Sequence, residues 1–276
     1  MIQMSAIIMD GKRIATDMEA FIKKSIEDSG PRFKVKLLIV TDNSDPASRV
    51  YVKNKIKSAE RCGIDAEVLS INDETEASAG YKIFNHDADG IIVQLPLKYG
   101  NERALIGCIP EGKDVDGLGL YNIGCLHSTH TNGIIPCTPK GIMTLLDAYH
   151  INIRGKHAVV VGRSHLVGRP IAELLLQRDA TVTICHSHTK NLAEITKQAD
   201  ILIVAVGKSK LVAADMIKPG AVVVDVGINR DENGKLCGDV DFDNAKEVAG
   251  WITPVPGGVG PMTVASLMWN TMEAAF

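Results

Sequence analysis

Short apolar runs that recur at helix-length intervals constrain the fold of this chain more than any other feature. Four of them follow one another in the second half, and they are HAVVVG at 157–162, TVTIC at 181–185, DILIVAV at 200–206 and AVVVDVG at 221–227. Continuous runs of Val, Ile and Leu are typical of parallel strands that helices cover on both faces. The intervals suit right-handed crossovers, so we expect a Rossmann-type, doubly wound parallel sheet.

The first half repeats this alternation on a smaller scale. An amphipathic helix is predicted by apolar residues that share one face, namely Ile14, Met18, Phe21, Ile22 and Ile26. The run VKLLIVT at 35–41 predicts a buried strand. Asp45 and Pro46 then favour the start of a helix that ends before Gly63. Further strands are expected at 66–70 and 90–94.

Connecting segments complete this reading of the sequence. The stretch at 96–136 is expected to be rich in loops, and a helix is predicted near Lys140. The Gly- and Pro-rich loop TPVPGGVGP at 253–261 precedes a last helix that is predicted from Thr263 to Ala275. We expect this last helix to pack back on the first lobe.

The length of the chain favours two lobes with separate cores, because 276 residues exceed the common size of one domain. We therefore expect an α/β protein of two α/β lobes with a cleft between them. The first lobe is predicted at 1–138 and is completed by the C-terminal helix at 260–276, and the Rossmann lobe is predicted at 139–259.

Composition and charge narrow the possible partners. Hydrophobic residues make up 45% and charged residues 23% of the chain, and no apolar run is long enough to span a bilayer. The net charge is −3 with dispersed Lys and Arg, so neither nucleic acid nor a membrane surface is an expected partner. The N-terminal sequence MIQMSAIIMDGKR lacks the pattern of a secretion signal. We therefore expect a soluble cytoplasmic protein that acts on small molecules.

The cysteines are spread widely and show no paired spacing of the kind that builds zinc sites. We interpret them as reduced thiols and expect no metal site. The six are Cys62, Cys108, Cys125, Cys137, Cys185 and Cys237. A buried structural role is favoured for Cys137 and Cys185.

A candidate nucleotide site follows the first strand of the second half. The segment GRSHLVGRP at 162–170 places Gly162 and Gly168 around a turn that is predicted to open a helix at about Val167. Backbone amides at a helix start favour phosphate, and glycines allow close approach. The spacing departs from the usual Gly-x-Gly-x-x-Gly pattern. This segment alone is equally consistent with a tight strand-to-helix turn in an ordinary α/β protein.

The next strand ends in CHSHT at 185–189, where a Rossmann fold faces the adenine ribose of its cofactor. No acid is present there to accept hydrogen bonds from the free ribose hydroxyls of NAD. Arg163 and Ser187 instead supply a cation and a hydroxyl, which suit a 2′-phosphate. The pattern therefore favours NADP over NAD, and the alternative that Arg163 is only a solvated surface charge stays open.

A candidate chemical site lies on the early helix. Ser48, Tyr51 and Lys55 are spaced i, i+3 and i+7, so their side chains share one stripe. These groups are costly to bury together and are useful in a cleft. Spacing alone nevertheless favours an ordinary solvated helix face on which the lysine stem lies along the surface.

Two further segments carry polar groups at positions that suit a ligand. Gln94 ends the predicted strand at 90–94, and the carboxyl ends of strands are where open α/β sheets place ligand groups. Asp114 and Asp116 occur in KDVDG at 113–117, where turn-forming aspartates are an equally good explanation. Spacing cannot separate these two roles.

Taken together, these segments resemble the bifunctional methylenetetrahydrofolate dehydrogenase/cyclohydrolase family from about Asp10 to Ala275. The motifs that carry the resemblance are SRVYVKNK at 48–55, DGIIVQLPL at 89–97, KDVDG at 113–117, PCTPKGI at 136–142, GRSHLVGRP at 162–170, DVGIN at 225–229 and PVPGGVGPMT at 254–263. Several independent motifs in the same order leave little room for chance.

The resemblance implies a first lobe that binds folate and catalyses, a Rossmann lobe that binds NADP, and a homodimer. It identifies Lys55 as the central catalytic group, Tyr51 as the residue that orients and stacks on folate, Gln94 as the partner of Lys55, and Asp116 as the pterin anchor. The implied substrate contacts are Ser48, Tyr51, Val93, Gln94, Leu95, Asp116, Pro254, Gly257 and Gly258. The implied cofactor contacts are Gly162, Arg163, Ser164, Ser187 and Ile228.

One departure from the family pattern follows KDVDG. The family continues with an aromatic residue or Leu and then His-Pro, whereas this chain has Leu118, Gly119 and Leu120. We expect this change to loosen the loop beside the folate site. His127 and His130 lie in a stretch without a strong counterpart, and we assign them no role.

The resemblance implies two chemical steps on tetrahydrofolate one-carbon derivatives. Hydride passes from 5,10-methylenetetrahydrofolate to NADP, and water then opens the methenyl product to 10-formyltetrahydrofolate. A lysine amine is almost wholly protonated near pH 7, so Lys55 acts as a base only if desolvation or the folate cation favours its neutral form. The alternatives are a monofunctional dehydrogenase with weak or absent cyclohydrolase activity, and a catalytically inert binding regulator.

Overall fold

Two compact units make up the chain in this computed structural model, which describes residues 5–128 and 133–276. The six-stranded unit contains the segment that ends at Ile14 together with Thr138–Thr263. The three-stranded unit contains Ala15–Cys137 and Val264–Phe276. Among the described helices, none is both long enough and apolar enough to cross a membrane.

The helices and strands alternate along most of the chain. The strands are β1 (Ile7–Ile8), β2 (Val35–Thr41), β3 (Ile64–Ser70), β4 (Gly90–Val93), β5 (His157–Val161), β6 (Thr181–Cys185), β7 (Ile201–Val204), β8 (Val222–Asp225), β9 (Asn229–Arg230), β10 (Leu236–Cys237) and β11 (Trp251–Ile252). The α-helices are α1 (Gly11–Asp28), α2 (Pro46–Cys62), α3 (Glu76–Phe84), α4 (Glu102–Gly107), α5 (Leu120–His127), α6 (Cys137–Ala148), α7 (Gly168–Gln177), α8 (Leu192–Thr196), α9 (Phe242–Ala245) and α10 (Val259–Ala275).

The larger sheet is wholly parallel, with the strand order β1-β11-β8-β7-β5-β6. The chain passes from β5 to β6 in one direction and then returns to β7 on the other side of β5. Such a reversal is the switch point at which open α/β sheets bind ligands, at the carboxyl ends of the strands. The predicted α/β architecture with a Rossmann-type parallel sheet is confirmed.

The segment before Ala15 differs from the division expected from the sequence, which placed 1–138 in the first lobe. Ile7 and Ile8 pair in parallel with Trp251 and Ile252, so this segment forms an edge of the larger sheet. The contacts therefore group it with the six-stranded unit.

The smaller sheet has β2 at its centre, paired in parallel with β3 and β4. Leu37 and Ile39 of β2 enter one apolar core, whereas Leu38 and Val40 enter another. Successive side chains of a strand point to opposite faces, so a strand with a core on each side must be apolar throughout. This explains the continuous run at 35–41.

Helix α2 begins and ends as its sequence predicts. Asp45 accepts a hydrogen bond from the backbone N–H of Ser48 at 2.9 Å, with Pro46 in the first turn. Gly63 ends the helix with a left-handed φ of 76°, and its N–H reaches the carbonyls of Ala59 and Glu60. These caps fix which residues of α2 face the end of the small sheet.

Other boundaries differ from the expectation for physical reasons. The stretch at 96–136 contains α4 and α5, which are too short to show helical periodicity in the sequence. Phe21 is exposed rather than buried, although its ring stacks on Trp269 of α10 at 5.2 Å. Helix α10 begins at Val259, before the expected Thr263, and β3 begins at Ile64.

Candidate active site

Lys55 and Gln94 are brought together although 39 residues separate them. The Lys55 amine donates a hydrogen bond of 2.9 Å to Gln94 Oε1, and Gln94 Nε2 donates to the carbonyl of Leu95 at 2.8 Å. Only 8% of Gln94 is exposed, and its backbone N–H donates to Val40. The amide is therefore held at the end of β4 with its oxygen towards the lysine.

The other two members of the helical stripe, Ser48 and Tyr51, differ in burial. Ser48 is 1% exposed and its hydroxyl donates to the Leu95 carbonyl at 3.4 Å. Tyr51 is 37% exposed, and burial, followed by the charge of Asp45, raises the pKa of its phenol. The phenol is therefore neutral at pH 7 and able to donate. A buried Ser48 and a bonded Lys55 do not match the solvated face that spacing alone favoured.

Val93 and Leu95, on either side of Gln94, are placed differently. Val93 is 2% exposed and belongs to an apolar core, so its side chain faces away from solvent. Leu95 is partly buried beside the same core, and its carbonyl accepts from both Ser48 and Gln94. Leu95 thus contributes its backbone to this cluster.

Asp42 fixes the loop that follows Gln94, and the sequence reasoning did not single it out. Its carboxylate is 1% exposed and accepts from the backbone N–H groups of Lys98 and Tyr99 and from the amide and hydroxyl of Ser44. Burial alone would raise the pKa of Asp42, but these hydrogen bonds outweigh it and hold the pKa below its usual range. The sequence signal that could have identified Asp42 is its position one residue after β2, because Gln94 was identified by the same position after β4.

Asp114 and Asp116 have different surroundings. The spacing left open whether each aspartate forms a turn or faces a ligand, and their contacts differ in this respect. Asp114 is 3% exposed and accepts from the Gly119 N–H at 2.7 Å and from Asn122 Nδ2 at 2.9 Å. Burial raises the pKa of the Asp114 carboxyl against these hydrogen bonds, and the charge of Asp116 adds to the rise. Asp114 is therefore the loop-forming carboxyl.

Asp116 lies in a turn that follows a short contact with β4. Ile91 of β4 pairs with Asp114 in an isolated parallel bridge, and the Gly117 N–H then donates to the Asp114 carbonyl at 3.1 Å. The Asp116 side chain is half-buried and has no hydrogen bond or ion pair with any residue that the structure describes. The carboxylate is free to accept hydrogen bonds from a ligand.

The departure from the family pattern is visible at Gly119. A Cβ at this position would lie 2.9 Å from Asp114 Oδ2, so the glycine permits the close contact that its N–H makes. Leu120, which follows, is 90% exposed. The described contacts thus hold this end of the loop instead of loosening it. His127 ends α5, and His130 lies outside the described residues.

The glycine turn after β5 forms a close backbone cradle in the six-stranded unit. Gly162 has a φ of 127°, and a Cβ there would lie 2.2 Å from the Ala205 carbonyl oxygen. A Cβ at Gly168 would lie 2.3 Å from the Gly162 carbonyl oxygen. Ser164 Oγ accepts from the N–H groups of Val167 and Gly168, at the start of α7. A turn this tight, at the start of a helix, fits the close approach of a diphosphate.

Arg163 and Ser187 leave the sheet at the same edge. Val161 is paired with Cys185, so each of these two residues lies two positions beyond the end of neighbouring strands β5 and β6. Both are exposed, and Arg163 forms no ion pair with the residues that the structure describes. A free cation and a hydroxyl, without an acid in 185–189, fit a 2′-phosphate.

The remaining predicted residues also lie in the six-stranded unit. Ile228 follows β8 and is 48% exposed. Gly257 has a φ of 109°, and its carbonyl accepts from the Lys12 N–H at 2.9 Å. A Cβ at Gly258 would lie 2.6 Å from the Pro254 carbonyl oxygen. The loop at 254–258 therefore requires Gly257 for its backbone conformation and Gly258 for the close approach to the Pro254 carbonyl, and a hydrogen bond joins it to the start of α1.

None of the six cysteines, which all lie in the described residues, forms a disulfide, and Cys137 and Cys185 are buried at 2% and 0% exposure, as predicted. Burial raises the pKa of the Cys185 thiol. Cys137 Sγ donates to the Val115 carbonyl at 3.2 Å. Both thiols are packing groups.

Comparison with known proteins matches both halves of the chain to one family. Residues 9–116 match the model "Tetrahydrofolate dehydrogenase/cyclohydrolase, catalytic domain", and residues 136–276 match the model "Tetrahydrofolate dehydrogenase/cyclohydrolase, NAD(P)-binding domain". The Bifunctional protein FolD of Nitrosospira multiformis is 50% identical over 281 residues, which cover 99% of this chain and 96% of the relative.

Solved structures show the same similarity. The bifunctional methylenetetrahydrofolate dehydrogenase/cyclohydrolase FolD of Campylobacter jejuni is 43% identical with a TM-score of 0.92, over 98% of this chain and 99% of that one. The methylenetetrahydrofolate dehydrogenase-cyclohydrolase FolD of Trypanosoma brucei, solved with NADP cofactor and an inhibitor, is 35% identical with a TM-score of 0.90, over 99% and 98% of the two chains.

Proposed function

Because the chain belongs to the tetrahydrofolate dehydrogenase/cyclohydrolase family, we propose that it is a bifunctional enzyme of folate one-carbon metabolism. It oxidises 5,10-methylenetetrahydrofolate with NADP to 5,10-methenyltetrahydrofolate and hydrolyses that product to 10-formyltetrahydrofolate. The observation that carries this proposal is the 2.9 Å hydrogen bond between Lys55 and Gln94 at the end of β4. It joins the proposed base, the Lys55 amine, to the side-chain amide that orients it.

We assign the dinucleotide to the six-stranded unit. The glycine cradle at Gly162 and Gly168 supports this assignment, because its backbone is packed too closely for a Cβ and it stands at the start of α7, where a helix favours phosphate. Arg163, Ser164 and Ser187 would hold the phosphates, and Ile228 would contact the cofactor. When bound, NADP supplies the hydride acceptor.

Folate is assigned to the three-stranded unit, where Tyr51 and Asp116 align it for the first step. Hydride transfer needs alignment of two large ligands above all, because it converts a bimolecular step into a local one. The half-exposed Tyr51 ring offers a stacking surface, and the Asp116 carboxylate accepts pterin N–H groups. Pro254, Gly257 and Gly258, which belong to the six-stranded unit, stay predicted folate contacts by resemblance to the family alone.

Hydrolysis of the methenyl product needs proton transfer, and Lys55 is the proposed base. As water adds to the methenyl carbon, one of its protons passes to the neutral Lys55 amine. The bond from that carbon to the ring nitrogen N5 then breaks, N5 takes a proton, and 10-formyltetrahydrofolate forms with the release of one proton. Gln94 Oε1 accepts a Lys55 N–H, which leaves the lone pair of a neutral amine free for this task.

The same proposal includes a cytoplasmic homodimer. Among the described strands, β6 pairs only with β5 and leaves one edge open, and Ile184 on it is 42% exposed. Proteins protect open edges of this kind with charges, bulges or a covering element, and we propose that a second copy of the chain covers this one. Light scattering on the purified chain tests the assembly, and a monomeric mass at micromolar concentration would contradict it.

The activity is tested with purified chain, 5,10-methylenetetrahydrofolate and NADP, with NADPH fluorescence and methenyl absorbance followed together. We expect NADPH to form and added methenyltetrahydrofolate to decay faster than in buffer. Absence of NADPH would overturn the dehydrogenase assignment. Methenyl decay no faster than without the protein would overturn the cyclohydrolase, and faster initial rates with NAD than with equal NADP would overturn the cofactor assignment.

A further inference from the structure

One buried carboxylate, that of Asp239, accepts hydrogen bonds from the backbone of the loop that follows β7. Its Oδ2 accepts from the N–H groups of Val206 at 2.7 Å and Gly207 at 3.0 Å, and its Oδ1 accepts from the N–H of Lys208 at 2.8 Å. Asp239 is 0% exposed. Because three successive backbone N–H groups donate to one carboxylate, the backbone of this loop is held in one conformation.

The same carboxylate reaches the loop that follows β8. Asn229 Nδ2 donates to Asp239 Oδ1 at 2.9 Å, and Asn229 is the residue after the proposed cofactor contact Ile228. Asp239 therefore joins two loops that leave neighbouring parallel strands at the same edge of the sheet. Among the residues that the structure describes, four neutral N–H groups donate to this carboxylate and no cation forms an ion pair with it.

A second carboxylate holds Asp239 in place. Asp225, at the end of β8, is 3% exposed and accepts from the N–H groups of Gly227, Asp239 and Val240, each at 2.9 Å. A Cβ at Gly238 would lie 1.8 Å from Asp225 Oδ2. There is no space for a side chain at position 238, so the contact between Asp225 and the segment at 238–240 has one fixed geometry.

The loop at 206–208 lies at the switch point of the sheet, next to the glycine cradle. The Ala205 carbonyl oxygen, one residue before the loop that Asp239 holds, is the atom that a Cβ at Gly162 would meet at 2.2 Å. Strands β5 and β7, from which the cradle and this loop emerge, are neighbours. A shift of the 206–208 backbone would therefore move a wall of the dinucleotide site.

We infer that Asp239 is a positioning residue of the dinucleotide site: it holds the loop at 206–208 and the segment at 227–229, which leads into β9, in the geometry that NADP requires. This inference rests on the proposed function, because it assigns Asp239 to the oxidative step alone. Hydrolysis of methenyltetrahydrofolate consumes no NADP, so it serves as an internal measure of the folded enzyme.

The test uses Asp239→Asn, which keeps the size of the side chain but turns an N–H₂ group towards backbone donors. We expect the KM for NADP to rise about tenfold, because small misplacements in a site have large effects on ligands that span it. The KM for methylenetetrahydrofolate and the rate of methenyl hydrolysis stay within about twofold of the wild-type values. Asp241→Asn, the same change two residues away on a carboxylate that bonds Asn244, is the matched control and leaves the KM for NADP unchanged.

Asn229→Ala provides a second, milder variant if Asp239→Asn does not fold, and it is expected to raise the KM for NADP by a smaller factor. Calorimetric titration with NADP repeats the comparison without turnover. Equal NADP affinity in wild type, Asp239→Asn and Asn229→Ala would overturn the inference, as would an equal loss of oxidation and hydrolysis in folded variants. A wild-type chain that binds NADP but turns over no folate would instead overturn the proposed function and leave the affinity test valid.

Discussion

Lys55 and Gln94 are joined by a hydrogen bond of 2.9 Å that ties the middle of α2 to the carboxyl end of β4. The orientation of the Gln94 side-chain amide is fixed, because its Nε2 donates a hydrogen bond to the Leu95 carbonyl at 2.8 Å. A rotation of the amide would therefore break two hydrogen bonds. This arrangement gives the lysine one defined position, and the first two predictions depend on it.

Replacement of Lys55 by Met is expected to lower methenyl hydrolysis about 100-fold or more, which is the usual contribution of a general base. Met keeps the length of the stem and removes the amine. Lys57→Met, on the same helix but exposed, is the matched control and is expected to keep wild-type hydrolysis. Decay of methenyltetrahydrofolate measures the effect, and full turnover by Lys55→Met would remove Lys55 from the mechanism.

Replacement of Gln94 by Glu keeps the shape of the side chain but places a carboxylate against the lysine. An opposite charge at this distance favours the protonated amine, which cannot act as a base. We expect hydrolysis to fall about tenfold at pH 7 and to recover as the pH is raised. A pH–rate profile for Gln94→Glu that overlays the wild-type profile would contradict this role for Gln94.

Arg163→Ala is expected to weaken NADP binding selectively. Loss of a hydrogen bond to a charged group costs about 1.5–3 kcal/mol, which corresponds to a roughly 10- to 100-fold rise in Kd. NAD, which lacks the 2′-phosphate, should bind the variant and the wild type alike. Arg154→Ala, at an exposed arginine that faces Asp179, is the control. Equal losses of NADP and NAD affinity would show that Arg163 does not read the 2′-phosphate.

Strands with strong local patterns were predictable from the sequence to the residue. The segments at 35–41 and 181–185 coincide with β2 and β6, because a strand buried on both faces, or one inside a regular alternation, carries its own signal. Ile7–Ile8 and Trp251–Ile252 carry no such signal, since two residues show no period. These two segments lie far apart in the sequence, and they form strands because they pair with each other.

The candidate site also contains residues that a local pattern predicted and residues that no local pattern could predict. The spacing of Ser48, Tyr51 and Lys55 predicted a shared stripe, but only the resemblance to a family connected it with Gln94, 39 residues away. Asp239 was not found at all, because an aspartate after a glycine is an ordinary turn pattern. Its partners at 206–208 are more than 30 residues away, as the separation of 31 residues from Lys208 shows. Long-range hydrogen bonds of this kind leave no local pattern.

The stability of the six-stranded unit is expected to depend on the ionisation of Asp225. Burial raises the pKa of this carboxyl from its ordinary 3.8 to about 6, against the N–H donors of Asp239, Val240 and Gly227, and the charge of Asp239 adds to the rise. The native state therefore binds the proton more tightly than the unfolded chain. The stabilisation is fully present below pH 3.8 and is lost as the pH rises through about 6.

The full shift of the pKa corresponds to about 3 kcal/mol, at 1.36 kcal/mol for each pKa unit. Part of this stabilisation is already lost at pH 4, where the unfolded carboxyl is partly ionised, so we expect a loss of roughly 2 kcal/mol between pH 4 and pH 7. It is measured as the difference in unfolding free energy between the wild type and Asp225→Asn, which cannot titrate at this position. Urea unfolding in a Trp269→Phe background lets the fluorescence of Trp251, in β11, report on the six-stranded unit. We expect the wild type to lose stability relative to Asp225→Asn as the pH rises, because only its carboxyl must ionise in a buried place. A difference that stays constant from pH 4 to pH 7 would show that Asp225 ionises in the native state as it does in the unfolded chain.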